Sequence, residues 1–529
     1  MQQDPIKNIV IAGGGTAGWM TAAALAKLLG VRKYKIILVE SEAIGTVGVG
    51  EATIPMITLF NNALQIDENE FIRETNATFK LGIEFPNWRR KGHSYFHPFG
   101  SFGIDMDGIS FTHYWLRWHQ NGGKLDYTKF NAETEAAREL KFQRVQQQGV
   151  ALLPNINYAY HFDASLYAKF LRGFAEKRGV VRQEGLIERV FQSPEDGRIT
   201  GLQLKDGQTI QGDLFIDCTG FRGLLIEQTL KSGFDDWSQW LPVNRAVAVP
   251  FESDQSPPPY TRAIASDAGW QWRIPLQHRM GSGYVFCDAY ISEEEAMRAL
   301  MESIEGTPKA DPRVLKFTTG VRKKAWIKNC VSIGLSNGFL EPLESTSIHL
   351  IQVAIAKILT MFPRGGISQF MIDQYNEEMS YEYENVKDFL IAHYHVTERD
   401  DTEFWKYVRN MAVPDSLSNK LELFRTRGEV MTKKADLFKE NSWFAVLAGQ
   451  GLMPDGYHPV ADSISDDDLR VRLSQIRSGV VERINGMPSH VDYLAAIREG
   501  RSGSSSPSGS GPFNVILSPN SGSRGAVYG

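Results

Sequence analysis

A chain of 529 residues is long enough for two or more domains or one large interleaved fold, and its 42% hydrophobic and 22% charged residues match an ordinary globular enzyme and exclude a disordered chain. A net charge of −5 gives no overall pull towards nucleic acid, and three cysteines (Cys218, Cys287, Cys330) without CxxC spacing offer neither a disulfide framework nor a zinc site. No uninterrupted apolar run of about 18 residues occurs, so no membrane span is expected; Asp4 and the lack of an apolar stretch before residue 8 argue against a signal peptide, and a reduced, cytoplasmic setting is the default.

The chain opens on a short β-branched run, Ile9 to Ile11, followed by Gly13, Gly15 and Gly18 in G-x-G-x-x-G register and a run of good helix formers from Met20 to Leu29. A second apolar run, Ile36 to Val39, ends in Glu40, where a βαβ unit places the acid that holds a ribose hydroxyl. Glycines are needed because the backbone must turn tightly and approach a pyrophosphate on the helix N-terminus. The unit predicts a bound dinucleotide, with NAD and FAD equally open. The next loop carries Gly45, Gly48 and Gly50 and is either a connector or a further cofactor contact.

A helix is predicted from Asp67, which can cap it with Glu70 three residues on, through Phe71, Ile72, Thr75 and Phe79, placing Lys80 at its last turn. Residues 83 to 120 are dense in aromatics, which suits both a core and a pocket for a flat guest. Short strands with turns from Gly179 to Gly212 read as a β-meander inserted before the strand Leu214 to Ile216, which returns to the nucleotide-binding sheet at Asp217-Cys218-Thr219-Gly220. Sheet-like alternation resumes from Arg245 to Tyr290, with Trp270, Trp272 and Ile274 on one strand face. Val331 to Ile333 forms a strand, and a strongly apolar helix is expected from Ile348 to Met361.

Residues 371 to 500 read as mainly helical, around Gln374 to His393, Asp401 to Met411, Leu417 to Arg427 and Asp466 to Asn485. The tail from Arg501 to Gly529 is dominated by Ser, Gly and Pro and is expected to be disordered, or else an appended segment foreign to the fold. The expected division is therefore 1–370, 371–500 and 501–529.

Thr346 and Ser347 fall at the first turn of the apolar helix, where free amides either bind a small anion or are capped by Ser345 or Thr346. Glu344 just before that turn would crowd an anion unless it has a task of its own. Lys80 reads, by default, as a cation answering a helix dipole. His97 and His113 lack metal-ligand spacing, and no metal site is expected.

At these residues the chain resembles the flavin-dependent tryptophan-type halogenases, from the N-terminus to about residue 460. The motifs that carry the resemblance are Trp270-x-Trp272-x-Ile274-Pro275, Gly13 to Gly18, Gly50-Glu51-Ala52-Thr53-Ile54-Pro55, Asp217 to Gly223, and Glu341-Pro342-Leu343-Glu344-Ser345-Thr346. The resemblance implies an α/β fold of the flavin monooxygenase type, Rossmann-like at the FAD site, with an interleaved β-sheet substrate region and a mostly helical C-terminal part. It implies FAD, used as FADH2, held by Gly13, Gly15, Thr16, Ala17, Gly18, Glu40, Gly50, Glu51, Ala52 and Leu335. Lys80, Glu344 and Ser345 become catalytic, Thr346 and Ser347 hold chloride or bromide, and Trp270 and Trp272 separate flavin from substrate. In the implied route O2 and reduced flavin give a flavin hydroperoxide; halide attacks it, and the hypohalous acid is relayed to Lys80, which either hydrogen-bonds it or becomes a haloamine, and an electron-rich ring attacks the halogen.

The implied partners are a separate NAD(P)H-dependent flavin reductase and a small aromatic substrate, with a homodimer and a single chain both left open. Nucleic acid and membrane are not expected.

Two departures from the family pattern bear on the site. Ser347 stands where glycine is usual, which suggests a bromide preference. Asn441-Ser442-Trp443-Phe444 replaces the tyrosines that grip free tryptophan, so His97, Phe99, Trp443 and Phe444 point to an indole- or phenol-like substrate. The alternative is an FAD-dependent aromatic hydroxylase, which would usually carry Gly-Asp-Ala-Ala-His where this chain has Gly334-Leu335-Ser336-Asn337; a non-catalytic flavin-binding protein is a further alternative.

Overall fold

The computed structural model describes residues 5–44, 50–144, 153–363 and 365–501. The expectations for Gly45 and Gly48, and for the tail beyond Arg501, lie outside the described residues.

Strand Asn8–Ala12 is buried because its β-branched residues sit in the middle of a six-stranded sheet. Parallel neighbours flank it, Lys35–Glu40 on one side and Leu214–Asp217 on the other, so both faces need helices or other chain over them. Helix Thr16–Leu25 crosses between the first two strands, which is the βαβ unit expected from the glycines. Cys330–Ser332 extends the sheet beside Leu214–Asp217 and Val181–Glu184 extends it beside Lys35–Glu40. The expected meander is thus shorter at its start: the 181–184 strand joins the parallel sheet, and the three antiparallel strands are Ile187–Gln192, Ile199–Leu204 and Thr209–Gln211.

A nine-stranded, largely antiparallel sheet forms the second layer, with Gly269–Pro275 between Thr261–Ser266 and Met280–Phe286. The described main core cluster runs continuously from the nucleotide-binding sheet through this sheet to the C-terminal helices. Helix Ser347–Thr360 is buried on nearly every side, as a helix apolar all round must be, and packs against Thr16–Leu25 and the long helix Gln369–His395. Further helices are Glu403–Asn410, Asp415–Arg427, Glu440–Gly449, Asp466–Asn485 and His490–Arg498. No helix among the described residues is long and apolar enough to cross a membrane.

A second local expectation is corrected, and it moves the lysine. The helix capped by Asp67, whose side chain accepts from the Glu70 amide at 2.7 Å, ends at Glu74 instead of running on to Lys80. Thr75 closes it, Asn76 takes φ +52°, and the Ala77 amide bonds back to the Ile72 carbonyl at 3.1 Å. Thr78–Lys80 is then a strand paired antiparallel with Ala159–Asp163, whose other edge carries Gly50–Ala52. Asparagine tolerates the left-handed turn, and β-branched Thr78 and aromatic Phe79 favour the strand that follows. Lys80 therefore answers no helix dipole.

Candidate active site

Two places in this fold gather the predicted residues. At the first, no side chain among the described residues caps the start of the Thr16–Leu25 helix, so its leading amides are available to an anion. Gly13 adopts φ +109°, and a Cβ there would lie 2.2 Å from the Cys218 carbonyl oxygen; a Cβ on Gly18 would lie 1.9 Å from the Gly13 carbonyl oxygen. A Cβ on Gly15 would meet open space, which is the opening a pyrophosphate needs. Asp217 shapes the facing loop, accepting from Thr219, Leu225 and Ile226 amides at 2.8–2.9 Å.

Glu40 lies over Gly14 and bonds to Arg182, with the Trp19 indole Nε1 3.3 Å away. Leu335 is 36% exposed and Phe221 46% exposed beside Phe339, an apolar rim on the same side as the Asp217 loop. The glycines, the uncapped helix and the apolar rim fit FAD. Gly50 packs against Ile274 and Leu276, while burial pushes the Glu51 carboxyl up to about 7.

The second place is buried. Lys80 is fully buried, and its Nζ donates to the Ser345 Oγ at 2.8 Å and to the Thr53 carbonyl at 3.0 Å, with the half-buried Phe99 ring 5.1 Å away. Two of its three N–H groups are thereby used. Burial drives its pKa down to about 7, although the charge of Glu344 pulls the other way. Ser345 holds a left-handed backbone at φ +59°, uncommon for a residue with a side chain, with its amide bonded to the Pro342 carbonyl at 3.0 Å.

Glu344 is equally buried. Burial alone would raise its carboxyl, but His97 and His393 outweigh that and hold it at about 2. His97 Nδ1 is 3.0 Å from both carboxylate oxygens, and His393 Nε2 is 2.8 Å from Oε1. His393 Nδ1 lies 2.8 Å from the Phe389 carbonyl, which can only accept, so Nδ1 carries a proton. Its Nε2 faces the Glu344 carboxylate, so both ring nitrogens of His393 meet acceptors.

Beyond Ser345, Thr346 opens the 14-residue helix; among the described residues no side chain caps it and the buried Thr346 Oγ1 has no partner, and Ser347 is half-buried. Such a helix start with an unsatisfied hydroxyl suits a small anion. Trp270 and Trp272 stand 6.3 Å apart edge to face, with Trp272 over Gly283. The Trp270 indole donates to Glu341 Oε2 at 2.5 Å, and the Tyr394 hydroxyl donates to the same oxygen at 2.6 Å. Burial raises the Glu341 carboxyl to about 7.

Lys80, His97, Phe99, Glu344 and Ser345 thus come together. Trp443 reaches this group through Phe389, on which its ring packs edge-on at 4.9 Å, and Phe389 in turn meets His97 at 5.7 Å. Phe444 packs among Phe102, Trp115, Tyr127 and Phe424. Sequence reasoning missed Thr53, Glu341, Phe389, His393, Tyr394 and Phe438, the last stacked 3.8 Å from Phe389. Glu341 and Thr53 lay inside quoted motifs and could have been singled out; nothing local in the sequence marks the others.

A family model for tryptophan halogenase matches residues 8–466. Tryptophan 6-halogenase SttH of Streptomyces toxytricini is 37% identical over 529 residues, 93% of this chain and 98% of its own. Among solved structures, Xcc4156, a flavin-dependent halogenase from Xanthomonas campestris, is 47% identical with a TM-score of 0.90, covering 93% of this chain and 99% of that one. BrvH, a flavin-dependent halogenase from Brevundimonas sp. BAL3, is 41% identical at the same TM-score and coverage.

Proposed function

The chain belongs to the tryptophan halogenase family of flavin-dependent enzymes, and from that premise we propose that it chlorinates or brominates an electron-rich, indole-type ring through Lys80. The observation that carries this reading is the buried Lys80 Nζ on Ser345 Oγ, next to Glu344 and one turn from an uncapped, polar helix start.

The Gly13 to Gly18 turn would hold the FAD pyrophosphate on helix amides, with Glu40, Gly50 to Ala52 and Leu335 around the rest. Bound FADH2, supplied by a separate reductase, provides the reducing equivalents with which O2 converts halide to hypohalous acid. The amides of Thr346 and Ser347 hold halide at the helix start. Trp270, fixed by Glu341, and Trp272 form a wall that keeps the flavin apart from the substrate.

Lys80 has one N–H left after Ser345 and Thr53, and that N–H donates to the oxygen of hypohalous acid. The ring carbon forms its bond to halogen while the oxygen–halogen bond breaks. The electron pair goes to oxygen, which takes the Lys80 proton and leaves as water. Glu344 opposes the positive charge on the ring and takes the ring proton. A lysine at about 7 gives and regains a proton readily near neutral pH. The loss of two hydroxyls at Trp443 and Phe444 supports an indole without the amino-acid head group.

Product mass spectrometry tests the reading, with indoles, phenols and free tryptophan offered alongside FAD, a flavin reductase, NADH and chloride or bromide. A monohalogenated indole is expected. A product carrying oxygen in place of halogen, or fast flavin reduction by NADPH without the reductase, would instead make the enzyme a hydroxylase.

A further inference from the structure

The lysine strand has two faces. Lys80 turns to Thr53 and Ser345 on one. Phe79 turns to the other, where its ring stacks on Phe142 at 3.9 Å and meets Tyr158, His490 and Tyr493 edge-on. Among the described residues Thr78–Lys80 is also an edge strand, paired only with Ala159–Asp163, so the Phe79 amide takes its acceptor from outside the sheet.

His490 supplies it. The Phe79 amide donates to His490 Nε2 at 3.1 Å, across 411 residues of sequence. His490 Nδ1 lies 2.7 Å from the Pro257 carbonyl, which only accepts, so the proton sits on Nδ1 and the lone pair of Nε2 faces Phe79. One residue beyond Lys80, the Leu81 amide donates to the Pro259 carbonyl at 2.8 Å. The backbone is thus fastened on both sides of the lysine, and the two fastenings meet through the Pro257–Pro259 stretch.

His490 itself is fixed. It is fully buried, its amide donates to the Leu140 carbonyl at 2.8 Å, and Ser489 caps the helix it starts. His490 and the helix it starts lie beyond residue 466, where the match to the family model ends, while the backbone groups it meets lie within the match.

We infer that His490 is a positioning residue for Lys80: by accepting the Phe79 amide it holds the strand so that the ammonium stays on Ser345 and hypohalous acid reaches the ring instead of escaping. The inference rests on the proposed halogenation and deepens it, since a displacement of about 1 Å at a reacting group can cost about 10²-fold.

The test uses the full chain with FAD and reductase, and three variants. His490→Leu removes the acceptor, His490→Gln offers an amide oxygen in its place, and Met487→Ala loosens the same C-terminal segment while keeping the His490 acceptor. Two quantities are read: the ratio of halogenated ring to hypohalous acid caught by an added scavenger, and deuterium exchange in peptides spanning 76–82.

His490→Leu is expected to lower the ratio by about 10-fold and to speed exchange. His490→Gln should recover much of both, and Met487→Ala should lower the melting temperature with the ratio intact. Wild-type ratio and exchange in His490→Leu, or equal loss of the ratio in Met487→Ala, would overturn the inference. If the wild-type chain halogenates nothing while exchange responds as stated, the proposed activity falls and the positioning of the strand stands.

Discussion

The glycine cradle and the lysine site share one fold but are built in opposite ways. The cradle takes its shape from residues 8 to 40 and the loop after Asp217, and its binding groups are backbone amides from which side chains have been cleared: a Cβ at Gly13 or Gly18 would fall within 2.2 Å of a carbonyl oxygen. The lysine site instead draws its groups from five separated places, the Thr53 carbonyl and the side chains of Lys80, His97, the 344–345 turn and His393, and sets buried charges against one another. A site made of backbone tolerates no added volume, and a site made of buried charges loses its chemistry when one of its groups is removed.

The sharpest way to break that contrast is Lys80→Met. Halogenated product should fall by about 10³-fold, with FAD affinity unchanged. Stability should move the other way. The folded-state value of about 7 lies below the ordinary 10.5, so between those two values the unfolded chain binds a proton that the folded chain does not. Lys80 therefore costs nothing above 10.5, and its cost is complete once pH has fallen to about 7. Thermal melts should show Lys80→Met more stable than wild type at pH 7, with the gain shrinking towards pH 10. A gain independent of pH would mean that Lys80 keeps its ordinary charge.

Gly13→Ala probes the other region and should have the next largest effect. The new methyl group would meet the Cys218 carbonyl oxygen in a backbone conformation that side chains rarely adopt. FAD binding should weaken by about 10²-fold in equilibrium dialysis, the equivalent of roughly 3 kcal/mol. Retained FAD affinity would show that the cradle can shift to admit volume.

The same contrast explains what the sequence revealed. The cradle was legible because strand, turn, helix, second strand and acid lie within one short stretch, each announced by a local pattern of glycines or β-branched residues. Helix Asp466–Asn485 was read to the residue for a similar reason, since acidic residues open it and Gly486 follows it. Lys80 was placed on a helix because Phe71, Ile72, Thr75 and Phe79 keep a helical spacing, yet pairing with Ala159–Asp163, some 80 positions away, made its segment a strand. His393 and His490 left no local mark: each acts through a partner distant in sequence, Glu344 and Phe79, and only folding brings them together.

The smallest expected effect lies where the two building styles meet. At the start of helix Ser347–Thr360 the binding groups are amides, as in the cradle, but the space around them is set by side chains: the buried hydroxyl of Thr346 and the half-buried Ser347. Because halide would be held by the amide, Ser347→Gly should keep most of the turnover and change only the room around the ion. In competition between equal chloride and bromide, the proposed bromide preference should shift towards chloride by about 3-fold, well under the 1.4 kcal/mol that a tenfold change represents. Isotope patterns of the products measure that ratio. Mainly chlorinated product from the wild-type enzyme would remove the premise, whereas an unchanged ratio in Ser347→Gly would show that the selectivity is set by the amides and Thr346 alone.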